Sequence, residues 1–295
     1  MGGNGASSQS ATLTLQQVAS TLGQSTQTIM ASVQFLIQTG RANSTQQALQ
    51  QIANSKDDRN VLWATMTIPE ENQLRRDMGE TGDEAGRVNV MPFMKTYVAT
   101  SKSYNINYYL EHDQQSIVCP YRDQDGNFIS NWHRHGLTES DIKNTIRTMD
   151  AGAKPLTRTI NTVRCESSSQ TLSQFGITQS MKELSKMSPA ELTKALYGRG
   201  RASKAYISTT TNETGNRNTG FKGRDVLIEY TISKGVHGIM TNNTAEREFI
   251  VGRGYDQKVT GARWENVNVG GKTERKLVLS VKVVPGARSQ YYDLR

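Results

Sequence analysis

Five runs in the last two thirds of the chain are rich in β-branched residues and alternate partly between apolar and polar positions: TINTVRCES, KAYISTTT, RDVLIEYTIS, REFIVG and RKLVLSVKVV. Branching at Cβ leaves a side chain stiff at χ1 and suits it to a pleated surface, so each run predicts a strand. Before and between them lie helical patterns in KTYVATSKSYNINYYLEHD, LTESDIKNTIRTMDAG and QSMKELSKMSPAELTKALYG. Helices first and strands later predict an α+β domain on an antiparallel-rich sheet. The chain has 295 residues, enough for one large domain or a medium one with an appendage.

The upstream sequence differs in character. Residues 1–55 are rich in Gln, Ser and Thr and hold a single basic residue, Arg41. Leu15, Val18, Ala19 and Leu22 fall at helical spacing, as do Ile29, Val33 and Leu36, and Ser44 reads as the N-cap of a third helix carrying Leu49 and Ile52. The run LTLQQVASTLGQSTQTIMASV has the outline of a helix-turn-helix with Gly23 in the turn. It lacks the Lys and Arg that would meet phosphates, so a small helical bundle for packing, or for binding a partner or regulator, is the better expectation. Residues 56–87, polar and charge-mixed and ending in RRDMGETGDEAGR, read as a linker or surface segment. The main domain is expected over 88–295.

Charge divides along the same line. Residues 1–87 carry 6 Lys/Arg against 8 Asp/Glu, and the remaining residues 29 against 19, a net of +10. A positive field of that size attracts phosphate-bearing ligands: a dinucleotide, a nucleic acid or an acidic protein face. No stretch approaches the ~18 apolar residues of a membrane span, and the first residues have neither the charged start nor the apolar core of a secretory signal. Ala6 stands where a myristoylation site wants Ser or Thr. Two cysteines, Cys119 and Cys165, cannot build a disulfide framework or a four-thiolate metal site. A cytoplasmic, reducing location and no membrane association are therefore expected. His112, Cys119, His133 and His135 match no closed zinc spacing, so no metal is expected. Neither GxGxxG nor GxxxxGK[ST] follows a strand.

Three pieces in fixed order carry the chemistry. Arg164 lies near the end of a predicted strand, Ser208–Thr209–Thr210 lie within another, and Glu246–Arg247–Glu248 leads into the apolar FIV. Positions i and i+2 of a strand share a face, so Glu246 and Glu248 can enter one cleft while Arg247 points away. Two carboxylates in one cleft tend to split their pKa values, which suits one electrostatic and one acid–base role.

In this order and spacing the chain resembles the arginine–serine–glutamate clade of ADP-ribosyltransferases, which includes the C3-like and binary actin-modifying bacterial toxins. The resemblance covers roughly 88–295 and rests on YVATSKSYNINYYL, LTESDIKNTIRTMDAG, PLTRTINTVR, AYISTTTNE, VLIEYTISKGVHG, TAEREFIVGRGY and LVLSVKVV. It implies a split, antiparallel-rich sheet with flanking helices, and NAD consumed as a substrate. It implies that Arg164 holds the pyrophosphate, an assignment that suits a guanidinium fork better than a lysine. Ser208 would orient the glutamate, with Thr209 and Thr210 in the same wall. Glu248 would stabilise the ribosyl cation left when nicotinamide departs. Glu246, the first glutamate of the ExE pair, implies transfer to arginine side chains of a protein target. The loop 211–221 would close over nicotinamide and phosphate, with Arg217 a candidate phosphate contact. Cys165 stands where the clade usually has Gly, at a position whose backbone meets the nicotinamide amide. His237 occupies the target-recognition turn KGVHGIMTNNTA, where the clade often has an aromatic. The basic main domain keeps open a nucleic-acid acceptor, and a catalytically silent binding module of the same fold is the alternative from another class.

Overall fold

The computed structural model describes residues 12–38, 41–54, 66–78, 97, 102–111, 138–211, 223–241, 246–269 and 272–285. Two compact units divide the chain, residues 1–64 and 65–295.

The first unit holds α1 (Leu15–Leu22), α2 (Thr26–Gln38) and α3 (Thr45–Asn54). Thr14 and Gln17 cap α1 reciprocally, and Gly23 ends it at φ +62°, a left-handed position that costs glycine little. Val18, Ala19, Ile29, Val33, Leu36, Ala48, Leu49 and Ile52 are buried. They are the apolar positions of the helical spacing, with Leu15 and Leu22 half-buried at the rim. The Gln46 side chain ties α3 to α1, donating to the Leu13 carbonyl at 2.8 Å and accepting from its amide at 3.1 Å. Arg41 is the one charged residue among the described positions of this unit.

The second unit begins with α4 (Ile68–Asp77), followed by α5 (Lys102–Glu111) and α6 (Glu139–Gly152). Nine strands follow: β1 (Lys154–Pro155), β2 (Ile160–Glu166), β3 (Gly200–Ser203), β4 (Ile207–Thr210), β5 (Val226–Ile232), β6 (His237–Met240), β7 (Glu248–Val251), β8 (Tyr255–Val269) and β9 (Lys272–Val284). Between β2 and β3 run α7 (Ser168–Gln174), α8 (Met181–Leu184) and α9 (Pro189–Leu196). Ser180 and Ser188 each cap a helix through a reciprocal bond with a glutamate three residues on, which is why one helical pattern in sequence resolves into the two helices α8 and α9.

The strands form one sheet in the order β1-β6-β7-β4-β2-β5-β9-β8-β3. All neighbours are antiparallel except β5 and β9. At the centre the pairing almost lapses: β2 and β4 share one register pair, Val163 with Thr210. On either side the ladders are fuller, with seven pairs between β2 and β5 and four between β4 and β7. This is the split expected of the sheet.

One apolar cluster brings Phe175, Leu184, Leu192 and Leu196 of the α7–α9 segment together with Val226, Ile228, Tyr230, Leu277, Leu279 and Phe249. A second joins α5 and α6 to β6 and β7 through Ile106, Tyr109, Ile142, Ile146, Ile239 and Ile250. Because Ile250 pairs with Ser208, α5 and α6 lie on the face of the sheet that bears Ser208 and, two residues along, Glu248.

Within residues 56–87, whose polar composition reads as a linker or surface segment, the described residues 66–78 contain a helix. Thr67 and Glu70 make a reciprocal cap and Pro69 sits in the first turn, so α4 is a well-started helix. It buries Leu74 and, unusually, Glu71. Of the remaining elements, β8 and α7 are formed without a strong local pattern. β8 is carried by its long ladder with β9. No described helix is long and apolar enough to cross a membrane.

Candidate active site

Three strands at the split place the chemical groups. Arg164 comes from β2, Ser208 from β4 and Glu248 from the first position of β7. The Arg164 Nη1 donates to the Ser208 carbonyl at 2.5 Å, and its Nε donates to Glu166. The guanidinium thus spans the line where β2 and β4 have nearly stopped pairing, with about a third of its side chain (31%) open to solvent. The Ser208 hydroxyl donates to Glu248 Oε1 at 2.5 Å. Arg164, Ser208 and Glu248, far apart in sequence, are therefore neighbours in a continuous chain of hydrogen bonds.

Glu248 is buried, 4% exposed, and its Oε2 has no hydrogen-bond partner among the described residues. An ionised carboxylate removed from water is costly, and burial raises this one above the ordinary glutamate range. The negative charge of Glu246 pushes in the same direction, while the hydroxyls of Ser208 and Thr241 and the charge of Arg164 oppose it. Glu246 lies in the turn before β7 rather than on the strand, yet close enough for its charge to be felt. Between them Arg247 has φ +49°, the one positive φ at a non-glycine position among the described residues.

Other expected residues are placed differently. Thr210 is buried and pairs in register with Glu248. Thr209 faces the other way, its hydroxyl donating to the Phe249 carbonyl at 2.8 Å. Cys165 is buried, paired with Leu227 of β5. Arg217 and most of the loop 211–221 lie outside the described residues, as do His112, Cys119, His133 and His135. His237 sits on β6 with Nδ1 2.9 Å from the Tyr255 hydroxyl, at the opposite end of the β6–β7 ladder from Glu248. Among the described residues no cluster of His, Cys, Asp or Glu is fit to hold a metal.

The structure adds groups that sequence reading missed. Glu166 is buried beside Arg164 and accepts from Thr171 at 3.0 Å. Burial alone would raise its pKa, but the Arg164 and Arg201 charges hold it below the usual carboxylate range. Tyr97 is buried edge-on to Tyr206, with ring centroids 5.6 Å apart, and accepts from Asn107 at 2.8 Å. Its phenol is raised by burial and feels the charges of both Glu248 and Arg164, which places it at the same centre. The signal for Glu166 was its position two residues after Arg164 on one strand face. Nothing local distinguished Tyr97 from the other tyrosines.

This arrangement joins a cation, a hydroxyl and a buried carboxylate through hydrogen bonds, and comparison with known proteins names it. Residues 93–284 match the family model of the ADP-ribosyltransferase exoenzymes. The chain belongs to that family. It is accordingly an NAD-dependent ADP-ribosyltransferase. No curated protein matches it in sequence. Among solved structures, the ADP-ribosyltransferase is similar to the enzymatic component C2-I of the C2 toxin from Clostridium botulinum, with 12% identity and a TM-score of 0.50, covering 74% of this chain and 48% of that one. The chain thus spans about half the length of C2-I, and the likeness is one of fold. It is also similar to Plx2a, an ADP-ribosyltransferase toxin from Paenibacillus larvae (14% identity, TM-score 0.48, covering 73% and 94%). C3stau2 from S. aureus, solved with NAD, compares at 15% identity and a TM-score of 0.46, covering 74% and 96%.

Proposed function

We propose that this ADP-ribosyltransferase cleaves NAD at the nicotinamide–ribose bond and transfers ADP-ribose to arginine side chains of a protein target. The observation that carries the reading is the Glu248 carboxylate: buried, oriented through one oxygen by Ser208, and with no hydrogen-bond partner for its other oxygen among the described residues. A carboxylate so prepared lies ready for the hydroxyl-bearing, electron-poor ribose. It stabilises positive charge as the C–N bond breaks and the electron pair leaves with nicotinamide. Arg164, whose fork is partly open, takes the pyrophosphate. Glu246 accepts the proton that the guanidinium nitrogen of the acceptor sheds as its new bond to ribose forms. Thr210 and the Cys165 backbone complete the wall, while Thr209, turned to the β7 backbone, drops out of it, and Arg217 is assigned to the phosphates. Residues 1–55 form a separate helical appendage for a partner or regulator.

The test is nicotinamide release from NAD by the wild type and by Glu248→Ala, with cell lysate as the acceptor pool. The wild type is expected to release nicotinamide and the variant to lose roughly 10²–10³ of that rate. A wild type that releases none with any lysate sinks the enzymatic reading. Mass spectrometry of the lysate is expected to find ADP-ribose on arginine. Label that survives protease but not nuclease would instead assign a nucleic-acid acceptor, whose binding would weaken steeply with salt.

A further inference from the structure

Helix α4, upstream of every strand, reaches the turns on both sides of Glu248. Its Glu71 is 3% exposed and accepts from Arg75 at 3.1 Å on Oε1, and from Arg247 and, at 3.1 Å, the Thr211 hydroxyl on Oε2. Arg75 also donates to the Thr241 carbonyl at 3.1 Å. The same Thr211 binds the Arg247 carbonyl through both its amide (2.9 Å) and its hydroxyl (3.1 Å), while the Thr241 amide donates to the Glu248 carbonyl at 3.1 Å. The Met66 amide, just before the helix, donates to the Thr211 carbonyl at 2.7 Å. The ends of β4 and β6 and the start of β7 are thus all fastened to one short segment.

The fastened turn contains a backbone that does not hold itself. Arg247 at φ +49° occupies the left-handed region, which a side-chain-bearing residue adopts when its surroundings impose it. Residue 247 is the hinge between the two glutamates, so its φ sets where Glu246 stands relative to Glu248. We propose that Glu71 is a positioning residue of the active site: by pairing with Arg247 it holds the left-handed turn that sets Glu246 against Glu248. This rests on the assignment of Glu248 above. A buried ion pair is a weak source of net stability next to apolar packing, but its geometry is exacting, and geometry is what this turn needs.

The test uses the full chain and measures kcat and KM for NAD in nicotinamide release, with the melting temperature recorded beside them. Glu71→Gln is expected to lower kcat roughly 10- to 100-fold, the order for misplacing a catalytic group by an ångström, with KM changed by less than about threefold. Arg247→Gly, which enters the left-handed region freely, is expected to keep more kcat than Arg247→Ala, and to recover part of the loss when added to Glu71→Gln. A Glu71→Gln kcat within about twofold of wild type, or equal kcat for the Gly and Ala variants, overturns the proposal; KM rising in step with the fall in kcat does so too. Should Glu71→Gln fail to fold, the Gly–Ala comparison at 247, which leaves Glu71 paired with Arg75, still decides. An active Glu248→Ala would remove the catalytic assignment itself. An inactive Glu248→Ala beside an undiminished Glu71→Gln would remove this inference alone.

Discussion

Ser208 donates its hydroxyl to Glu248 at 2.5 Å, and that bond opposes the rise that burial imposes on the carboxylate. On the proposed mechanism the working form of Glu248 is the ionised one, so activity is expected to climb with pH through its raised pKa. Ser208→Ala removes a bond that favours the ionised form, so the acid limb of kcat moves to higher pH. At the plateau, kcat falls by roughly tenfold or more, the order for losing one hydrogen bond to a charged group. A pH–rate profile of nicotinamide release checks both, and an unmoved limb would argue against the orienting role.

Glu246 acts on the same carboxylate with the opposite sign. Its negative charge raises Glu248, so Glu246→Gln is expected to move the acid limb down. Transfer to arginine should fall by at least about 10²-fold, within the range for losing a general base, while nicotinamide release to water is retained. Measuring both products in one reaction separates the roles.

A third expectation concerns stability. The folded pKa of Glu248 is raised above its unfolded value, so the native state holds this proton more tightly. Its contribution is most favourable below the unfolded pKa and is lost as pH rises through the folded one. Glu248→Gln carries no charge to desolvate, so it is expected to raise the melting temperature at neutral pH while abolishing activity. The gain should shrink as the pH is lowered toward the ordinary glutamate range. Thermal melts at pH 4.5 and 7.5 compare the two arms.

Arg164→Lys keeps the charge but loses the fork that reaches Glu166 and the Ser208 carbonyl together. KM for NAD is expected to rise about tenfold or more, since a point charge replaces bidentate binding of phosphate. Glu166, left with a poorer partner in a buried place, should cost the fold on the order of 1–3 kcal/mol, read from denaturant midpoints. An unchanged KM would remove Arg164 from the pyrophosphate.

Much of this architecture could be read from residues in order. The runs around Arg164, Ser208 and Glu248 became β2, β4 and β7 because β-branched composition and a buried pleated surface agree. The helical pattern LTESDIKNTIRTMDAG became the helix over 139–152, which Thr138 and Asp141 cap reciprocally. Glu71 and Glu166 could not be recognised in this way. The burial of Glu71 depends on Arg247, a partner brought up by the tertiary fold, and a glutamate in a polar stretch reads as solvated until its cation is located; Glu166 has its cation two residues away on the same strand, but nothing local shows that the pair is buried. α4 itself was more legible than its composition suggested: Thr67, Pro69 and Glu70 are start signals, with Glu71 in the first turn and Arg75 and Arg76 in the last. Its single buried apolar side chain after the start, Leu74, is too little for a periodic pattern. Thr209 shows the limit of motif reading, since alternation along β4 turns its hydroxyl toward the β7 backbone and away from Ser208.

The single residue pair joining β2 to β4 has a mechanical consequence. Each half of the sheet completes its own ladder and is stiff by itself, but few amide–carbonyl bonds bind one half to the other. Glu248 rides on one plate and Arg164 on the other, and the guanidinium acts as a stay between them. Whatever draws that guanidinium outward slackens its hold on the Ser208 carbonyl. The link between the two halves of the sheet and the backbone of the serine are therefore held by one and the same side chain.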